Sequence, residues 1–334
     1  MNNDSTAGEL MIQNSKILRF GILGTGWMAD IFARELVKCH HASLAAVSSS
    51  TPDRSVAFCE RFSGAVAYPS YEALIAAPEV DVVYIATTTE RHFQNAMTCI
   101  EARKPTLVEK PIAMKPDEIA EMILAAKKRD VFLMEAMWTR CFPRIRHLEE
   151  TLAPIGSVRR MTASFCMDIP FSPNNRLYSP ALGGGALLDI GIYPLTLLHR
   201  LWGFDGASMT SNLSYAATGV DDAGVLCFDY PDGRTARLDY SLKGHRPHRA
   251  IFQGERGTAI FDDFFHPSMI TVTLDDAPPG EERFAYPVMG YHYEIEEVAA
   301  CLSAGRKENA LVPLAASAEV LAMMTRVLES SSEK

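Results

Sequence analysis

No C-x-x-C pair occurs in this chain, whose seven cysteines (Cys39, Cys59, Cys99, Cys141, Cys166, Cys227 and Cys301) are odd in number and widely spread. That argues against a disulfide framework and a zinc knuckle, and it leaves reduced thiols in a cytoplasmic setting as the expectation. The first fifteen residues have Asp4 and Glu9 but no basic residue and no apolar core, so they do not read as a secretory signal. No later stretch is expected to approach a membrane span. Basic charge is also short. The 32 Lys and Arg against 41 Asp and Glu leave −9, which repels polyanions and counts against nucleic acid or a membrane as a partner. The histidines, the His40-His41 pair included, lack metal spacing, and no metal is assigned. No internal repeat is visible.

What the chain does have is length and an ordinary globular balance. Its 334 residues, 48% hydrophobic and 22% charged, predict two domains with cores that need no staples. From Ile17 short β-rich runs alternate with helical ones, as in Ile17 to Leu23, Ser43 to Ser48, Val80 to Thr87 and Thr106 to Glu109, and this predicts a doubly wound parallel sheet. After Trp138 the rhythm changes to strand-like runs with turn signals such as Pro231-Asp-Gly233, which predicts an α+β domain with a largely antiparallel open sheet. The expected organisation is a loose tail over 1–15, a doubly wound domain over 16–138, and an α+β domain over 139–334. The terminal helix of the last is expected to pack back on the first domain.

Gly24-Thr25-Gly26-Trp27-Met28-Ala29 has the G-x-G-x-x-A spacing after a predicted strand and before a predicted helix. Gly24 permits the tight turn, Gly26 lets a pyrophosphate approach the backbone, and Ala29 allows close helix packing. Trp27 can stack on a cofactor or pack the first helix. About twenty residues on, where an acid would accept a free ribose 2′-hydroxyl, the chain offers Ser49, Ser50, Thr51 and Arg54, so NADP is expected over NAD. The same serines and threonine also suit a cap for the helix starting at Pro52.

Glu109-Lys110-Pro111 follows a buried strand at the edge where open α/β sheets bind ligands. A lysine there can favour ionisation of a neighbouring phenol; it can equally be a surface lysine paired with Glu109. In Gly183-Gly-Gly-Ala-Leu-Leu-Asp-Ile-Gly-Ile-Tyr-Pro194, Asp189 and Tyr193 stand four apart in an apolar helical run that Pro194 should kink. Their plain structural roles are a helix cap and a core tyrosine.

Together with Met134-Glu-Ala-Met-Trp-Thr-Arg140, these motifs resemble the Gfo/Idh/MocA oxidoreductases, and are most similar to the branch holding dimeric dihydrodiol dehydrogenases and NADP-dependent D-xylose dehydrogenases. The resemblance is dense from Ile17 to about Gly203 and architectural beyond. It implies hydride transfer between nicotinamide and a carbinol or carbonyl carbon of a sugar or trans-dihydrodiol, in a homodimer formed through the second sheet. By position it makes Lys110 and Tyr193 the catalytic pair and Asp189 a substrate-hydroxyl ligand. It places Trp138, Arg140 and Phe142 on the substrate side. It brings Thr87, Thr88, His92 and Glu109 to the cofactor, although His92 also suits a helix start. Tyr193 stands where inositol-type members carry His, which favours the pyranose and diol branch. A silent NAD(P)-binding sensor of the same fold is the alternative.

Overall fold

The computed structural model describes residues 17–283 and 289–332; the expected tail over 1–15 lies outside them. The chain divides into two compact units, and the division is not a single cut. The first unit takes in 1–113, 117–141 and 288–314, the second 114–116, 142–287 and 315–334. The penultimate helix, His292–Ser303, thus belongs with the first unit, while nearly all of the last helix, Leu314–Ser332, belongs with the second.

The first unit holds β1 (Leu18–Leu23), β2 (Ala42–Ser48), β3 (Val66–Tyr68), β4 (Val82–Ile85), β5 (Thr106–Glu109) and β6 (Leu133–Ala136). They form one parallel sheet in the order β3-β2-β1-β4-β5-β6. The three-residue β3 escapes a reading by periodicity because it is too short to show one. Central strands such as Val82-Val-Tyr-Ile85 are buried throughout, as a sheet covered on both faces requires. Strand order reverses between β1 and β4, and there the carboxyl ends of the strands open a crevice suited to a ligand.

The second unit holds β7 (Val158–Cys166), β8 (Ser208–Tyr215), β9 (Asp221–Asp229), β10 (Thr235–Ser241), β11 (Arg246–Gly254), β12 (Gly257–Asp262), β13 (Met269–Leu274) and β14 (Gly280–Arg283). The order is β14-β13-β12-β11-β7-β10-β9-β8, antiparallel except where β10 runs parallel to β7. Alternation sorts the two faces. Met161, Ala163, Leu226, Phe228, Leu238, Phe252 and Phe261 are buried, whereas Thr162, Val225, Ile251 and Ile260 lie on the opposite, half-exposed face.

The apolar run ending at Trp202 corrects the expectation about membrane spans. Pro180–Trp202 is long and apolar enough to cross a bilayer by length and composition, but it is mostly buried within the chain as a core element. The kink expected at Pro194 takes the form of a π turn over Leu187–Gly191, followed by an α-helix over Ile192–Trp202. Pro194 has no N–H for the Ile190 carbonyl, and its ring crowds that carbonyl, so the ladder loosens one turn earlier.

Candidate active site

In the first unit the nucleotide loop sits at the switch point. Gly24 donates its N–H to the Ser48 carbonyl at 2.8 Å. Its φ is +108°, and a Cβ there would stand 2.5 Å from the Ala86 carbonyl oxygen, so the position admits only glycine. Gly26 is the opposite case: a Cβ would meet nothing within 4 Å, which leaves the backbone open to a ligand. The helix that follows, Trp27–Leu36, has no side-chain cap, so its first amides point outward unclaimed by any cap. The Thr25 hydroxyl is buried without a hydrogen-bond partner, and so is that of Ser48 at the end of β2. A pyrophosphate needs such donors, so the loop fits a dinucleotide. Trp27 is 70% exposed and Met28 half-buried, its sulfur 4.0 Å from the Tyr291 hydroxyl.

At the ribose end the Ser49 hydroxyl is committed to its own turn, donating to the Thr51 carbonyl at 2.6 Å and accepting the Thr51 N–H at 3.2 Å. Ser50 and Arg54 are exposed. Burial pushes the Tyr71 phenol up, while the charges of Arg91 and Arg54 act on it in the opposite sense. Arg91 is thus a second cation near this end, and its position after β4 gave it no signal in the sequence.

The loop after β5 is fastened from beneath. Glu109 accepts the Tyr84 hydroxyl on one oxygen and the Lys110 N–H on the other, the latter at 3.1 Å. Glu135 accepts the Ile112 N–H at 3.0 Å. The Lys110-Pro111 peptide is cis, and Lys110 is half-buried. His92 is a buried brace: Nδ1 lies 2.8 Å from the Pro111 carbonyl oxygen and Nε2 3.2 Å from that of Thr87. Burial pushes its pKa down against those two carbonyls. Thr87 also accepts the Asn95 amide at 3.2 Å, and the exposed Thr88 donates to Glu90 at 2.6 Å.

Trp138, Arg140 and Phe142, expected on the substrate side, are all buried. In the first unit Trp138 stacks on Tyr291 at 4.1 Å, and Arg140 approaches the Leu311 carbonyl at 3.5 Å. Phe142 opens the second unit, 6.0 Å edge-on from the His266 ring.

In the second unit the π turn presents Asp189 and the helix after it Tyr193. Asp189 Oδ1 accepts from Arg176 Nη2 at 2.9 Å; Arg176, on the single 3₁₀ turn Arg176–Tyr178, was not legible as its partner. The Tyr193 ring lies 5.1 Å from Phe165 and 6.1 Å from Phe265, and Phe165 also meets His248 at 4.5 Å. The pair therefore combines a cation-supported carboxylate with a phenol set among aromatic rings.

The domain profile described as an oxidoreductase family with an NAD-binding Rossmann fold matches residues 18–137, and that of the GFO/IDH/MocA C-terminal domain matches 151–260. The chain is 34% identical to trans-1,2-dihydrobenzene-1,2-diol dehydrogenase of Mus musculus, covering 91% of this chain and 94% of that one. It is 29% identical to D-xylose 1-dehydrogenase (NADP(+)) of Hypocrea jecorina, covering 94% and 92%. Among solved structures it is similar in fold to aldose-aldose oxidoreductase from Caulobacter crescentus (TM-score 0.83, 24% identity, 95% and 98% covered). It is likewise similar to a 3-ketoreductase from Actinomadura kijaniata in complex with NADP and TDP-benzene (TM-score 0.82, 24% identity, 93% and 96% covered).

One buried acid in the first unit carries a stability prediction. Glu294 is fully buried, and neither carboxyl oxygen has a hydrogen-bond partner; burial and the charge of Glu109 push its pKa well above the ordinary 4.5. A carboxyl whose folded pKa is raised contributes stability that is present below its unfolded value and lost as pH rises toward the folded one. Glu294→Gln should therefore be more stable than the wild type by a margin that opens above pH ~4.5, by up to about 1.4 kcal/mol per pH unit. Urea denaturation at pH 5 and pH 8 measures it; a margin that does not grow with pH refutes it.

Proposed function

We propose, from the premise that this chain belongs to the Gfo/Idh/MocA family of oxidoreductases, that Lys110, Tyr193 and Asp189 carry the proton chemistry of an NAD(P)-dependent dehydrogenase or reductase acting on a CH–OH group of a sugar or trans-dihydrodiol. The π turn carries this reading, because it sets one carboxylate and, one turn on, one phenol into an otherwise apolar run. A silent sensor has no use for that pair together with Lys110. When bound, the nicotinamide accepts or supplies the hydride. Gly24, Thr25 and Gly26 hold the pyrophosphate against the uncapped helix start. Tyr193 takes the carbinol proton on oxidation and returns it on reduction, and the Lys110 ammonium favours the ionised phenol. Asp189, its charge supported by Arg176, accepts a second substrate hydroxyl and orients the first. With a pyranose the oxidised product is a lactone. The seven free cysteines support a reducing, cytoplasmic setting.

Lys110→Met and Tyr193→Phe should each lower turnover by roughly 10²- to 10⁴-fold while leaving cofactor affinity nearly intact. A panel of aldoses, inositols and vicinal diols, followed at the reduced-nicotinamide absorbance band, gives the substrate and the rates. Wild-type turnover in either variant sinks the assignment.

The cofactor is NADP in preference to NAD. Ser48 to Ser50 supply no carboxylate for a free 2′-hydroxyl, whereas Arg54 and Arg91 supply positive charge for a 2′-phosphate. Fluorescence titration should show tighter binding of NADP, with a preference that shrinks in Arg54→Ala and survives in Asp53→Ala. Equal affinities in the wild type, or undiminished selectivity in Arg54→Ala, would place the ribose end elsewhere.

The assembly is a homodimer through the half-exposed face of the second sheet, where Ile251 and Ile260 pair and Val225 flanks the Arg237–Asp239 ion pair. Sedimentation at micromolar concentration should give twice the chain mass for the wild type and a shift towards monomer for Ile251→Lys. A monomeric wild type refutes it.

A further inference from the structure

Beneath the turn that carries Asp189 lies a carboxylate for which the chemistry above has no use. Asp221, the first residue of β9, is 3% exposed. Its Oδ2 accepts the Leu187 N–H at 2.7 Å, and its Oδ1 lies 2.5 Å from where a Cβ on Gly185 would stand. Gly185 has φ +125°, so glycine alone adopts that backbone and clears the carboxylate. Tyr240 closes the other side. Two of its ring carbons lie 3.1 and 3.2 Å from a Cβ built on Gly191, a Cβ on Gly224 would collide with its hydroxyl, and that buried hydroxyl faces Asp221. The five-residue turn Leu187–Gly191 is thus gripped at its first N–H by Asp221 and at its last residue by Tyr240.

A buried carboxylate is costly to keep, and apolar residues would pack the same space. What an apolar side chain cannot do is accept the Leu187 N–H, one of the first amides of the helical run, which lack partners within it. The charge also suits the positive end of the helix. We propose that Asp221 is a positioning residue, whose carboxylate, bound to the Leu187 N–H and backed by Tyr240, fixes the turn and helix start on which Asp189 and Tyr193 stand.

The groups facing Asp221 are the Leu187 N–H, the Tyr240 phenol and Asp222. Asp222 is itself paired with Lys243 at 2.6 Å and accepts the Ser214 hydroxyl at 2.6 Å, and the Tyr215 phenol acts on Tyr240. Burial pushes Asp221 up to about 6 against the Leu187 donor and the facing Tyr240 phenol, and the Asp222 charge acts in the same direction as burial. Below that pH the bond to Leu187 loses its charge assistance, roughly half of its strength. Because the folded value lies above the ordinary 3.8, ionisation costs the folded state stability as pH rises toward 6, and what holds the turn is the acceptor that Asp221 offers to the Leu187 N–H.

The kinetic part of this inference rests on Asp189 and Tyr193 being the acting groups; the structural part does not. Asp221→Leu keeps the branching of the side chain and removes the acceptor. At pH 8, hydrogen exchange in the peptide spanning Gly183–Tyr193, corrected for intrinsic rate, should be about tenfold faster in this variant than in the wild type. At pH 8 the variant's kcat should fall roughly 10- to 100-fold, the scale of a small misplacement, with NADP affinity within twofold. Tyr240→Phe, which keeps the ring against Gly191, should move exchange and kcat the same way by smaller factors, and it decides the matter if Asp221→Leu does not fold. Unchanged exchange overturns the proposal. So does faster exchange with unchanged kcat, provided Tyr193→Phe is impaired; if Tyr193→Phe turns over normally, the assignment of the acting groups fails while the exchange result still judges the grip on the turn.

Discussion

A backbone N–H donated to a buried carboxylate is the interaction on which both units rely to hold their functional loops. Glu109 and Glu135 take the Lys110 and Ile112 amides after β5, Asp221 takes Leu187, and Glu35 takes the Met289 and His292 amides, each at 3.3 Å, before the penultimate helix. A loop at the end of a sheet has left the ladder that satisfied its amides. Water would satisfy them as well but would not fix them. A charge-assisted bond from below contributes about 1.5–3 kcal/mol and sets a direction.

The same device concentrates acid beneath the sheet ends, and the chain manages that charge in two ways. Glu35 is held below the ordinary carboxylate value because the His292 ring and backbone donors outweigh its burial. Glu294 has no such donors and is pushed up, and Tyr84, driven up by burial and by the charge of Glu109, keeps its proton to donate to Glu109. The two acids thus differ: Glu109 accepts a phenol and a backbone amide, whereas burial and the Glu109 charge push Glu294 towards its protonated form. Lys110 follows directly on Glu109.

The glycines complement this scheme. Gly24 and Gly185 both have φ in the left-handed half of the map, and at both a Cβ would strike an oxygen, the Ala86 carbonyl in one case and the Asp221 carboxylate in the other. Each lets a chain segment press against an acceptor more closely than any other residue allows. Gly26 performs a different service, leaving space rather than removing it.

The sequence by itself determined the architecture of the first unit and the motifs of the site. Hydrophobic period and turn residues are local properties, and so β5 over Thr106–Glu109 coincides with its sequence reading, and β1 and β2 begin within one residue of theirs. The glycine loop is legible for the same reason, since its spacing is dictated by one strand and one helix. Tertiary structure alone decided what lies behind those motifs. Arg176 lies 13 residues from Asp189, Asp221 lies 34 from Leu187, and Glu294 lies 185 from Glu109, and no periodicity links such pairs. The same holds for His92, whose two carbonyl partners turn a helix start into a brace, and for the segment 288–314, which returns to the first unit after the second sheet has been built. A side chain declares its own chemistry in the sequence; its burial, its partner and hence its charge depend on which distant segment folds over it.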